Sequence, residues 1–129
     1  TDTDTDTGAV VQLETHYYFQ NFDLTTMTVT VMLKNQVELG GFQFSISGAE
    51  IVQGSGGTAG GLGYTFASSA DTLVGFAIPI AAIPVSTTGQ SLVVLDLQNH
   101  VGDLCFTSTI SSDLIGLMVP SSYGPCVSP

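Results

Sequence analysis

The sequence predicts an all-β protein, an antiparallel sandwich of two sheets with no major helix. The first observation is the alternation in residues 27–46, where Val29, Val31 and Leu33 recur at every second position and the pattern resumes, after a polar break, up to Ile46. Alternation of β-branched and aromatic residues with a period of two is typical of strands with one buried face. The second observation is that such apolar segments recur roughly every 8–15 residues, which is the rhythm of a sandwich.

About nine short strands account for this rhythm. In chain order they are expected in residues 9–13, 27–33, 39–46, 47–52 (after a turn), 64–66, 72–78, 92–97, 104–110 and 114–119. Residues 92–97 are the most apolar of these and are expected to lie centrally in a sheet. The Gly-rich residues 54–63 lack the Lys and the following helix of a phosphate-binding loop. We therefore expect a flexible or tightly packed loop there.

The composition indicates one folded domain with a weakly charged surface. Of 129 residues, 43% are hydrophobic and only 9% are charged, against about 25% in a typical soluble domain. Lys34 is the sole Lys or Arg and the net charge is −10, which excludes nucleic acid and anionic membranes as partners. No apolar run reaches the roughly 18 residues needed to span a bilayer. We expect a secreted, extracellular or cell-surface chain, and strand edges with so little Lys favour pairing with another chain.

Residues 1–8 are expected to be an extended segment outside a single sandwich domain of residues 9–129. The segment alternates strictly between Thr and Asp up to Gly8. It is interpreted as a solvated tail or as an assembly segment that adds to a neighbouring subunit as a strand, comprising Thr1, Asp2, Thr3, Asp4, Thr5, Asp6 and Thr7. The carboxylates of Asp2, Asp4 and Asp6 are also candidate Ca²⁺ ligands, because Ca²⁺ takes hard oxygen ligands. The threonines are candidate sites of O-glycosylation.

An aromatic cluster in residues 16–22 has two interpretations. Tyr17 and Phe19 are expected on one face of a strand and Tyr18 on the other. Packing in the core and sheet is the simpler explanation. As the alternative, Tyr17, Tyr18 and Phe22 are candidate residues for stacking on a ligand such as a glycan.

The two cysteines, Cys105 and Cys126, are expected to form a disulfide. It would close a loop of about 20 residues, contribute roughly 3 kcal/mol and attach the C-terminal tail to a late strand. Two buried free thiols are the alternative. A disulfide implies an oxidising, extracellular compartment.

Candidate catalytic chemistry is sparse. His16 and His100 are the two histidines, and neither lies in a nucleophile motif. Asp96, within the most apolar segment, is the acid expected to be partly buried. We therefore expect no catalytic residues, no cofactor other than Ca²⁺, and no enzyme activity.

Several segments together resemble the cohesin-like and carbohydrate-binding-module-like jelly-roll sandwiches of extracellular scaffolds. The similar segments are residues 29–35, 40–44, 72–76, 83–84 and 89–95, so that the resemblance covers roughly residues 29–110. The resemblance implies a non-catalytic protein that binds a dockerin-type module, binds polysaccharide or builds an extracellular assembly. The Thr-Asp segment, the aromatic cluster and the tail around Cys126 depart from that pattern.

Two functions follow as predictions. The first is a structural protein that assembles with copies of itself into a filament or surface scaffold, through strand edges and residues 1–7. The alternative is a cohesin-like binding module for a dockerin-type protein or a polysaccharide.

Overall fold

The computed structural model describes residues 14–129, and they form two five-stranded sheets packed face to face. The strands are β1 (Thr15–Asp23), β2 (Thr28–Asn35), β3 (Gly41–Ser47), β4 (Glu50–Ser55), β5 (Thr65–Ser68), β6 (Thr72–Phe76), β7 (Ser86–Gln98), β8 (Cys105–Ser112), β9 (Met118–Val119) and β10 (Ser121–Tyr123), with one short helix, α1 (Gly57–Gly61). The predicted fold class is confirmed. The residues predicted as an assembly segment, Thr1–Thr7, and the strand predicted in residues 9–13 lie outside the described residues.

The chain crosses repeatedly between the two sheets. The first sheet has the order β10-β1-β2-β7-β4 and the second the order β5-β6-β3-β8-β9. All pairs are antiparallel except β1 with β10, which is parallel. β2 and β3 are the central strands, so the stretch with the clearest alternation lies at the middle of both sheets.

The core lies between the sheets and follows the predicted alternation. Val29, Val31 and Leu33 of β2 have no exposed surface, and Phe42 and Phe44 of β3 are buried opposite them. Since successive side chains of a strand point to opposite faces, the intervening residues form the outer faces. No helix among residues 14–129 is long and apolar enough to cross a membrane.

The Gly-rich segment differs from the prediction because part of it is helical. α1 packs close to β7: a Cβ atom on Gly57 would lie 2.4 Å from the carbonyl oxygen of Leu92, and Gly57 has a φ of +65°. Glycine is needed there both for the backbone conformation and for the close approach. Tight packing, one of the two expectations, is therefore what the segment shows.

Two further differences concern the length and number of strands. β7 begins at Ser86, earlier than the strand expected in residues 92–97, while β9 is only two residues long. Residues before β9 form a turn instead, since Asp113 Oδ1 accepts hydrogen bonds from the backbone N–H groups of Ile115 and Leu117.

The predicted disulfide between Cys105 and Cys126 is present, with 4.2 Å between the two Cα atoms. It joins the start of β8 to the tail that follows β10. Backbone hydrogen bonds between Leu104 and Val127 run in both directions beside it. The tail is thus attached both covalently and by strand-like pairing.

Candidate functional site

Among residues 14–129, no charged residue lies on the outer face of the second sheet. The strand register places one set of residues on this surface: Thr65 and Ala67 of β5, Thr72, Val74 and Phe76 of β6, Gly41, Gln43 and Ser45 of β3, Ser108, Ile110 and Ser112 of β8, and Met118 of β9. None of these is Asp, Glu, Lys or Arg. We call this surface the neutral face.

The first sheet has a different outer face. Lys34 lies there, with its Nζ 5.5 Å from the centre of the Tyr18 ring, a distance typical of a cation–π contact. Asp96 accepts a hydrogen bond from the side chain of Gln53 on the same face. Asp96 is half-buried. The two faces of the sandwich are therefore chemically distinct.

A shallow hollow lies at the centre of one end of the neutral face. Its volume is about 300 Å³, and its lining includes Gly41, Gln43, Phe76, Ile110 and Ser112. The register puts Gly41 directly between Phe76 and Ser112. Because Gly41 has no side chain, the space between these two neighbours stays open.

Exposed apolar side chains surround the same end of the sheet. Ile78 is 90% exposed, Ile115 80% and Met118 76%. Ile80 and Leu114 both approach Gly40, where a Cβ atom would lie 3.3 Å from each of them. The β6–β7 and β8–β9 loops therefore meet beside the hollow. Apolar surface of this kind on a soluble domain is typical of an interaction site.

The three residues predicted to stack on a ligand lie in three different environments. Tyr17 has no exposed surface, and its ring packs near Phe44 and Phe106. As a stacking residue Tyr17 is therefore excluded in this structure, because a ligand cannot reach a ring in the core. Its alternation with Tyr18 does place the two rings on opposite faces.

Tyr18 and Phe22 are both half-buried, and both already have aromatic neighbours. Tyr18 stacks on His16 at 6.0 Å between ring centres, while Phe22 lies edge-to-face against His100 at 5.2 Å. The candidate ligand-stacking residues are thus not brought together on one surface.

The hydroxyl of Tyr17 belongs to a buried polar network. Ser111 Oγ is hydrogen-bonded to the Tyr17 hydroxyl and, at 2.7 Å, to Thr15 Oγ1. Burial raises the pKa of Tyr17 far above its usual value, and the hydrogen bonds from this network only partly offset that effect. Burial also raises the pKa of Tyr64, whose hydroxyl donates to the carbonyl of Ala81. These groups join strands and loops, and they face the interior.

The candidate metal ligands Asp2, Asp4 and Asp6 lie outside the described residues. Within residues 14–129, no three His, Cys, Asp or Glu side chains are grouped so that they could hold a metal ion. His16 Nδ1 lies 2.8 Å from Ser122 Oγ, and His100 Nε2 is bonded to the carbonyl of Gly102. Both contacts are at the surface.

The neutral face was not recognised from the sequence, although its signals are present. In the sequence, Gly40 and Gly41 interrupt the alternation of the strand predicted in residues 39–46, and a glycine in a strand often marks a close approach or an open space. The apolar residues 76–85, which begin within the strand expected in residues 72–78, supply Phe76, Ile78 and Ile80 to the surface. Only the strand pairing shows that these signals converge.

Comparison with known proteins gives a fold relationship. No protein-family model matches the sequence, and no curated protein matches it. Among solved structures, the chain is similar to a non-cellulosomal cohesin from the hyperthermophilic archaeon Archaeoglobus fulgidus, with a TM-score of 0.54, 13% sequence identity, and coverage of 88% of this chain and 86% of that chain. The fold is cohesin-like. The resemblance inferred from residues 29–110 is thereby confirmed at the level of fold.

Proposed function

We propose that this chain is a non-catalytic, cohesin-like module that binds another protein through its neutral face. The observation that supports the proposal is that no charged residue of the described part of the chain lies on this sheet face, although the net charge of the chain is −10. Charged residues are depleted at the centres of protein interfaces. A partner therefore covers this surface without desolvating an unpaired charge, which would be costly.

The likeness to a cohesin favours a protein partner, of the dockerin type, over self-assembly or a polysaccharide. A glycan platform needs exposed rings, and Tyr17, the first candidate, is in the core. The filament prediction depends on residues 1–7, and it stays a prediction because those residues lie outside the described part of the chain. The disulfide supports an extracellular, oxidising location for the module.

Photo-crosslinking from two matched positions tests this proposal. Gln43 lies on the outer face of β3, the central strand of the second sheet, and Thr30 lies on the outer face of β2, the central strand of the first sheet. Both residues are half-buried. A photoreactive residue at position 43 should capture a protein from the extracellular fraction of the source culture, and one at position 30 should not. The captured protein is then produced separately and its affinity for the purified chain is measured by calorimetry.

The Gln43→Lys variant should weaken this binding by at least about tenfold, because it places an unpaired charge at the centre of the interface. Thr30→Lys should leave the affinity unchanged. Equal capture from both positions, or full affinity of Gln43→Lys, would contradict the proposal. Capture of the chain by itself, with large oligomers in analytical ultracentrifugation, would favour the filament prediction instead.

A further inference from the structure

The hollow at Gly41 has no structural reason to exist. Three glycines lie around it, and packing requires two of them. A Cβ atom added to Gly40 would lie 2.8 Å from the carbonyl oxygen of Asp113, and one added to Gly75 would lie 2.3 Å from the ring of Phe42. At Gly41 the nearest atom would be the Ser112 hydroxyl oxygen at 3.1 Å, followed by the Gly75 carbonyl oxygen at 3.5 Å. The Ser112 hydroxyl donates only a long hydrogen bond, 3.4 Å, to the Gly41 carbonyl oxygen, so it can rotate away at little cost.

The backbone of Gly41 does not require glycine either. Its φ is outside the left-handed range that favours glycine, and it pairs regularly with both neighbouring strands. Gly41 is the first residue of β3, and glycine in a paired strand lowers stability because it loses the most backbone entropy and offers no side chain to pack. The fold therefore carries an unfavourable residue whose one visible effect is the open space between Phe76 and Ser112.

The size of the hollow suits a side chain. Its volume of about 300 Å³ is at the lower limit of pockets that hold small ligands, which are roughly 300–1,000 Å³. Its walls are mainly apolar, with Phe76 39% and Ile110 40% exposed. An apolar anchor residue seated in such a space is the usual centre of a protein interface.

Acidic groups stand immediately beyond the hollow. Glu38 and Asp113 line a neighbouring depression with Leu114 and Ile115, next to Gly40 and Ser112, which line the hollow itself. The sole Lys lies on the opposite sheet, at Lys34. The charge at this rim is therefore negative, and a partner that approaches it is favoured by positive charge.

We propose that the partner inserts one large apolar side chain into the hollow at Gly41 and places Lys or Arg side chains beside Glu38 and Asp113. This inference rests on the proposed function and specifies the chemistry of the partner. It describes a protein segment with an apolar anchor and a basic neighbour.

Random peptides displayed on phage are the probe, selected on the folded chain and counter-selected on Gln43→Lys. The selected peptides should combine a large apolar residue with nearby Lys or Arg. Gly41→Val fills the hollow and should weaken their binding by at least about tenfold. Ser108→Val is the matched control, because it adds a similar side chain to the same face away from the hollow, and it should change binding less than about twofold.

Glu38→Gln and Asp113→Asn test the contribution of the two carboxylates. Asparagine is chosen at position 113 because it retains the Oδ1 atom that accepts hydrogen bonds from the β8–β9 loop. The double variant should bind about threefold or more weakly at low salt and lose most of the salt dependence of the wild type. Thermal melting checks that each variant is folded. Selected peptides without basic residues would refute the proposed contacts with Glu38 and Asp113. Unchanged binding of the peptides to Gly41→Val would refute the proposal that an apolar side chain enters the hollow.

The natural partner separates this inference from the proposed function. If its binding is lost with Gln43→Lys but unaffected by Gly41→Val, the partner binds the neutral face but does not insert a side chain into the hollow. If neither substitution affects its binding, both proposals fail.

Discussion

Removing the disulfide should lower the stability of the chain mainly through the unfolded state. The bond joins residues separated by 21 positions. In the chain-entropy description, a closed loop of this length contributes about 3 kcal/mol to the free energy of unfolding. For a domain of this size that corresponds to a decrease in Tm of about 12 °C, at about 4 °C per kcal/mol. The Cys105→Ser, Cys126→Ser double variant makes the change without leaving a free thiol.

The native structure gives a reason to expect little local damage. Cys126 is exposed and Cys105 is partly so, hence the two hydroxyl groups remain in contact with solvent. The tail keeps its other attachments, which include the paired hydrogen bonds of Leu104 with Val127 and the bond from the Gly124 N–H to the Tyr17 carbonyl. The loss is therefore expected to appear in global unfolding.

Urea denaturation and calorimetry of the double variant measure the loss, and reduced wild-type protein is the control that should match it. Native-state hydrogen exchange at Val127 and Gly124 distinguishes a global effect from a local one. A Tm within about 2 °C of the wild type would refute the loop-entropy reasoning, since that reasoning requires a change several times larger. Loss of protection at these two amides alone would show that the disulfide acts as a local attachment.

Three further predictions concern the core and the terminal segment. Gly75→Ala should lower the free energy of unfolding by about 1–3 kcal/mol in denaturation experiments, because the new Cβ would overlap the Phe42 ring. Gly41→Ala should leave the free energy of unfolding unchanged or raise it by up to about 1 kcal/mol. Equal effects of the two substitutions would contradict the packing argument. Tyr17→Phe should cost about 1 kcal/mol at pH 8. Burial raises the pKa of Tyr17 above its value in the unfolded chain, so the unfolded state loses the Tyr17 proton first as the pH rises. This residue should therefore lower the stability of the wild type above about pH 10, by up to about 1.4 kcal/mol per pH unit. A Tyr17→Phe variant whose stability falls with the same slope at alkaline pH would refute this. If Asp2, Asp4 and Asp6 bind Ca²⁺, calorimetric titration should detect binding that is lost when all three are changed to Asn, and heat that persists in that variant would exclude them.

The sandwich could be predicted because its signal is local. In β2 and β3 the apolar residues alternate with polar ones, and a strand with one buried face needs no other information. The inward direction of Val31 and Phe44 then follows from the pattern itself. The same reasoning placed Tyr17 and Tyr18 on opposite faces, but it did not show which ring faced the core.

Strand β10 could not be predicted in the same way. Ser121, Ser122 and Tyr123 have no apolar alternation, and they pair with β1, which lies about a hundred positions earlier. What holds them is long-range: the Thr15 N–H donates to the Pro120 carbonyl, and the disulfide fixes the tail. Pairing of this kind depends on the assembled fold and leaves no local sequence signal.

The candidate site was hidden for a related reason. Gly41, Phe76 and Ser112 belong to three different strands, and each is unremarkable in its own segment. Only the register places them side by side. The neutral face is defined by the absence of charged residues, and this absence leaves no motif in the sequence. It becomes visible when the outward positions of all five strands are read together.

Electrostatics favours a different protein over a second copy as the occupant of the neutral face. Two copies with a net charge of −10 each repel at close range, because even at 0.1 M salt the screening length is about 10 Å. Glu38 and Asp113 at the rim of the hollow would add to that repulsion, whereas a basic partner turns the same two carboxylates into favourable contacts. Raising the salt concentration should therefore weaken binding of a basic partner and strengthen any self-association. The sign of the salt dependence therefore distinguishes binding of a basic partner from self-association.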